Sequence, residues 1–178
     1  MYKHIYVPVD NSDFSNRAID VSVELGKAFG ARLTGIHVYA ARLHDYRFKQ
    51  MEYTLPEEYK DENELERQRK IHDSLIAMGL QLISDSYLDV MEKKCAASGL
   101  GFERKMIDGK HYKVLIDDTK ASDYDLVVMG ALGMGAVKDS QLGSVTERYV
   151  RHVDRDTLVI RSADALKDQQ GAIVVCID

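Results

Sequence analysis

Apolar positions along this chain fall into short continuous runs and longer helical stripes, and the two alternate from one end to the other. Residues 5–10 (Ile5, Tyr6, Val7, Pro8, Val9, Asp10) form the first run, a strand whose proline must lie near its end or at an irregularity. Asn11, Ser12 and Asp13 then offer N-cap chemistry for a helix to about residue 29, with Ala18, Val21, Leu25 and Ala28 at helical spacing and Gly30 as its stop. Residues 32–39 read as a second strand, which makes a right-handed parallel crossover. Residues 40–64 carry Pro56 and many charges and predict an irregular, solvated connection, with a lid or a dimer arm as alternatives. A long helix follows over about 65–98, with Ile76, Leu80, Ile83, Tyr87 and Val90 as its inward stripe, Met78 also in the core, and Gly99 or Gly101 as its end. Residues 102–107 form a third strand, Asp108-Gly109 a turn, and 114–121 a short helix. The apolar run 126–129 is the fourth strand, 143–152 a helix and 157–161 the fifth strand. Five strands alternating with helices predict an α/β fold, a doubly wound five-stranded parallel sheet, with ligands bound beyond the carboxyl ends of its strands. Asp10, Val38 and Gly130 all fall at such ends.

Composition narrows the class. A chain of 178 residues supports one domain with a real core, and no apolar run approaches the roughly 20 residues of a membrane span. The first strand begins within a few residues of Met1, so no signal peptide is expected, and Cys95 and Cys176 are isolated, as in a reducing cytoplasm. The net charge of −5 argues against a general affinity for nucleic acid. Residues 1–162 are expected to form the domain and 163–178 a polar linker with a final apolar run, 173–178, that repeats the pattern of 5–10. That run is either the first strand of a truncated second copy or an extra strand pairing with the sheet or a partner.

The chemistry gathers after the fourth strand. Met129 and Gly130 lead into a loop with Gly133 and Gly135, which closes on Gly143, Ser144, Val145 and Thr146 at a helix start. Glycines let backbone approach an anion and take positive φ, and free amides at a helix start favour phosphate. The loop is no Walker motif, because Ala136-Val137 stand where Lys-Ser/Thr is required, and no dinucleotide fingerprint, because Lys138 replaces its third glycine. The spacing of Gly130, Gly133, Gly143 and Ser144 is G-x2-G-x9-G-[ST].

That motif, with the Val7-Pro8-Val9-Asp10 strand end, the Ile36-His37-Val38 strand, Gly109 and the run 124–130, resembles the ATP-binding class of the universal stress protein family. The resemblance covers about residues 2–161 and implies a Rossmann-like, adenine nucleotide alpha hydrolase-like fold. It implies that Pro8, Val9 and Val38 line an adenine pocket, that Met129 is among the nucleotide-binding residues, and that Asp10 accepts hydrogen bonds from the ribose hydroxyls. Gly130 and Gly133 would approach ribose and α-phosphate, and Gly143, Ser144, Val145 and Thr146 the outer phosphates. ATP or another adenine nucleotide with magnesium is the implied ligand, and a homodimer through the last strand, or a tandem pairing, the implied assembly. The function so implied is a nucleotide-dependent regulatory module of the stress response, read by a protein partner. A slow ATP hydrolase and a nucleotide-free interaction domain are the alternatives. No general base, arginine or G-x-S-x-G elbow marks a catalyst, no metal pattern surrounds His111 or His152, and His37 reads as a core histidine.

Overall fold

The computed structural model describes residues 1–137 and 140–161, so Lys138 and the segment 163–178 lie outside the described residues. The strands are β1 (His4–Pro8), β2 (Arg32–Tyr39), β3 (Phe102–Asp108), β4 (Leu126–Gly130) and β5 (Asp156–Ile160). The helices are α1 (Asp13–Phe29), α2 (Ala41–Glu52), α3 (Glu62–Ala97), α4 (His111–Ala121) and α5 (Ser144–Val150), with a 3-10 turn at Glu57–Tyr59. Every strand pair is parallel, in the order β3-β2-β1-β4-β5. The chain winds outward from β1 to β3, then returns to the other side of β1 as β4. The switch point therefore lies between β1 and β4.

Strand alternation divides the core. Ile5, Val7 and Val9, with Leu126 and Val128, face α1 and α3, where Ala18, Ile19, Leu88, Met91 and Cys95 close the layer. Tyr6, Ile36, Val38, Val127 and Met129 face the opposite way, against Leu115 and Ile116 of α4 and Tyr149 of α5. Burial on both faces explains why β1 and β4 read as continuous apolar runs. The signals at the ends of α1 also hold: Ser12 accepts from the Ser15 amide, and Gly30 terminates the helix at φ 66°.

Two expectations need correction. Residues 41–52 form a helix rather than an irregular connection. It has no side-chain cap. It is held instead by α3: Arg69 donates to Glu52 through Nε (2.8 Å) and Nη2 (2.6 Å), and the Phe48 ring stacks on His72 at 4.1 Å. The inward stripe of α3 is also displaced by one position. Ser84, Leu88, Met91 and Cys95 are buried, whereas Ile83 is 43% and Val90 38% exposed, and Met78 is 63% exposed. The reason is that α3 meets the sheet only with its C-terminal half. Its N-terminal half packs on α2, which leaves Ile71, Leu75, Met78 and Leu82 on the outer surface.

This division of α3 is measurable. Leu88→Ala should destabilise the fold by about 2–5 kcal/mol, the range for a buried large-to-small change. Leu82→Ala, at a side chain 73% exposed, should shift it by less than about 0.5 kcal/mol. Urea unfolding of both variants checks the assignment; equal losses would contradict it.

A candidate nucleotide cleft at the strand ends

A cleft of about 550 Å³ opens at the carboxyl ends of β1, β2 and β4. All eleven residues singled out in the sequence line it: Pro8, Val9, Asp10, Val38, Met129, Gly130, Gly133, Gly143, Ser144, Val145 and Thr146. They come from separated stretches of chain, and the parallel topology brings them together.

Asp10 follows β1 and ties the cleft floor to the glycine loop. Its Oδ1 accepts from the Ser12 amide (3.0 Å) and hydroxyl (2.7 Å), and Oδ2 accepts from the Met134 amide (3.0 Å). The N-cap of α1 is Ser12, not Asp10. Asn11 between them takes φ 60°, a left-handed turn that asparagine tolerates.

The loop glycines act differently from expectation. Among the described residues, the glycines at positive φ are Gly30, Gly99 and Gly109, so the loop glycines do not supply left-handed backbone. They supply space. A Cβ on Gly130 would lie 2.9 Å from the Phe14 backbone carbon and the Ser15 amide nitrogen, and one on Gly133 would lie 2.5 Å from Asp10 Oδ2. Gly143 precedes α5 with no side-chain cap, which leaves the amides of Ser144, Val145 and Thr146 without an acceptor inside that helix. The Thr146 hydroxyl is already committed, donating to the Gly130 carbonyl at 2.9 Å.

Several lining residues were not legible in sequence. Tyr39, Ala40 and His44 come from the end of β2 and the start of α2; Leu80, Ile83 and Tyr87 come from α3. His111, around which the sequence shows no metal pattern, is exposed at the start of α4 and lines the cleft. His37, read as a core histidine, is half-buried on the cleft wall with Nδ1 at 2.7 Å from the Ser84 hydroxyl. Burial lowers its pKa and His111 lowers it further, with Asp10 acting in the opposite sense. A second hollow, of about 490 Å³, lies at the amino ends of β4 and β5 and is lined by Asp123, Asp125, Asp154 and Asp156 together with Arg155. Four carboxylates against one arginine make it unsuited to phosphate, which directs attention to the carboxyl ends of the strands.

The universal stress protein family model matches residues 1–161. The chain belongs to the universal stress protein family. Universal stress protein YxiE of Bacillus subtilis is 24% identical over 161 residues, 90% of this chain and all of the relative. Among solved structures of the family, UspA from Lactobacillus plantarum superimposes with a TM-score of 0.67 at 22% identity, covering 90% of this chain and 98% of its own. A universal stress protein in complex with cAMP gives 0.58 at 20% identity, covering 89% and 96%. The protein from Archaeoglobus fulgidus in complex with dAMP gives 0.55 at 15% identity, covering 90% and 98%. These likenesses confirm the fold, a five-stranded parallel sheet of the adenine nucleotide alpha hydrolase-like kind. No helix among the described residues is long and apolar enough to cross a membrane.

Two outcomes test this geometry. Gly130→Ala, whose new methyl meets backbone, should cost about 1–3 kcal/mol, whereas Gly135→Ala, with nothing within 4 Å, should stay within about 0.5 kcal/mol. Thermal or urea unfolding measures both. The second concerns pH. Because the folded state holds the His37 pKa below its ordinary 6.5, the unfolded chain binds the proton first as pH falls, and stability drops below that point. Between about pH 7.5 and about pH 5 the wild type should lose more stability than His37→Gln. Urea midpoints across that range decide it; parallel curves would refute the assignment.

Proposed function

We propose that this chain is an adenine-nucleotide-binding regulatory module of the stress-response type. The observation that supports the reading is the convergence of the G-x2-G-x9-G-[ST] loop, the Asp10 strand end and Val38 on one cleft. Pro8, Val9, Val38 and Met129 present an apolar surface suited to a purine. Asp10 keeps about one lone-pair site, on Oδ2, beside its bonds to Ser12 and Met134, enough to accept from one hydroxyl of a ribose diol. Gly130 and Gly133 approach ribose and α-phosphate, and the open amides of Ser144, Val145 and Thr146 meet the outer phosphates. The family neighbours solved in complex with cAMP and dAMP support an adenine ligand for the fold.

ATP is the nucleotide this reading assigns, with magnesium held mainly by phosphate oxygens and water, since that ion keeps several waters and needs few protein ligands. Bound magnesium would neutralise phosphate charge. The regulatory output is a nucleotide-dependent change in conformation or in dimerisation through β5, an edge strand with Leu158 38% exposed. A partner protein reads that state, and the differential affinity of ATP for the two states sets the bias.

Two measurements test the proposal. The purified protein is denatured and any released nucleotide is identified by mass spectrometry, and the stripped protein is titrated with Mg-ATP and with AMP. Wild type should bind, and Ser144→Asp should bind at least about tenfold more weakly, because it sets a carboxylate where phosphate would sit. Ser144 is exposed, and an acid in the first turn of a helix is stabilising, so the loss would not reflect unfolding. No released nucleotide together with no binding at about millimolar ligand, corresponding to about −4 kcal/mol, would overturn the reading.

A further inference from the structure

Helix α3 has three faces, and the fold uses two of them. Ser84, Leu88, Met91 and Cys95 meet the sheet, and Arg69 and His72 meet α2. The third face carries Ile71, Leu75, Met78 and Leu82, which are between 51% and 73% exposed. Their steps of four, three and four residues are the spacing of a helix–helix seam. At about 100° per residue this seam points roughly 140° away from both occupied faces, so neither the sheet nor α2 covers it.

The margins of the seam suit a second helix. Ser74, Gln81 and Ser86 flank it, exposed and uncharged. Gly79 lies beside it in mid-helix, where a Cβ would meet nothing within 4 Å. Glycine weakens a helix interior, and no contact in this fold requires it there; a helix laid against the seam gains closer approach from it. Four side chains exposed to this degree form an apolar patch on the order of 400 Å² per copy, a size typical of interaction surfaces. Two such patches with their margins bury about 1,200 Å² in total, the low end of specific interfaces, where pairing is weak and reversible.

The charges choose the orientation. Beyond Leu82, three carboxylates, Asp85, Asp89 and Glu92, share the one guanidinium of Arg104, so this end stays negative. Before Ile71 stands Arg67, its side chain 73% exposed and 3.6 Å from Glu64. A parallel pair would set the acidic end against its own copy. An antiparallel pair brings Leu75 to Met78, Ile71 to Leu82 and Arg67 to the level of Asp85.

We propose that a second copy of this chain occupies the seam, the two α3 helices lying antiparallel about a twofold axis between Leu75 and Met78. The pairing is independent of the nucleotide reading. It also differs from a contact through β5: α3 packs on β2 and β3, toward the other edge of the sheet. Leu80, Ile83 and Tyr87 of the same helix line the cleft, so each cleft shares a wall with this interface.

Sedimentation velocity of the full chain without nucleotide, from about 5 to about 500 µM, tests it. Wild type should show an association step with a midpoint of about 10–100 µM, so unfolding measured well below that concentration reports the single chain. Leu75→Lys/Leu82→Lys should move the step at least about tenfold higher, with circular dichroism and unfolding midpoint unchanged because both sites are exposed. Met78→Glu disrupts the same seam independently, and Leu158→Lys on β5 should leave the step in place. Orientation is read from spin labels on Ser86→Cys/Cys176→Ser, Cys95 being buried. Antiparallel helices place the labels about 30 Å apart and parallel ones about 10 Å. A wild type without the step, a step that both seam variants leave unmoved, or labels near 10 Å would overturn the proposal.

Discussion

The carboxylate of Asp10 joins the start of α1 to the loop after β4, a link reinforced by the Ser12 hydroxyl, which lies 3.2 Å from the Leu132 carbonyl oxygen. One oxygen holds the start of α1 through Ser12, and the other holds the loop after β4 through the Met134 amide. These bonds cross the switch point of the sheet, where β1 and β4 are neighbours but the chain between them is more than a hundred residues long. The arrangement works only because position 133 has no side chain; a Cβ there would occupy the place of Oδ2. Gly130 plays the matching part beneath, where the first turn of α1 lies against its backbone. The loop is thus shaped by close approach to β1 and α1, and its openness toward the cleft follows from that packing.

Legibility in the sequence tracked how directly each element's stability is written locally. β1 and β4 are buried on both faces, so their apolar runs were unambiguous, and α1 carried a capping serine and a terminating glycine. α2 carried no such signal. Its polar composition reads as a connection because its hold is tertiary, an ion pair and a ring stack supplied by α3. The stripe of α3 was misphased for a related reason. A helix that serves the sheet with one half and α2 with the other has no single apolar face, and its exposed Leu75, Met78 and Leu82 obscure the buried phase at Ser84, Leu88 and Met91.

The cleft divides in the same way. Residues fixed by a motif or by a strand end could be placed from spacing alone. His37, His44, Tyr87 and His111 could not, because each belongs to a different element and only the winding of the sheet makes them neighbours. His37 shows the limit well. Its alternation with Ile36 and Val38 suggests a core position, but the side chain is only half-buried, on the cleft wall, and its partner is Ser84 on a helix 47 residues later.

The attachment of α2 has a consequence for the cleft wall. Ala40 and His44 form part of that wall, yet the far end of their helix is held by Arg69, whose second carboxylate partner, Glu62, is largely exposed while Glu52 is only 10% exposed. Mobile counterions weaken an exposed pair first and a sheltered one last. The rigidity of this wall is therefore graded by ionic strength, whereas the strand ends and the glycine loop, fixed by core packing and by bonds from amides to the sheltered Asp10 carboxylate rather than by exposed ion pairs, depend on it far less.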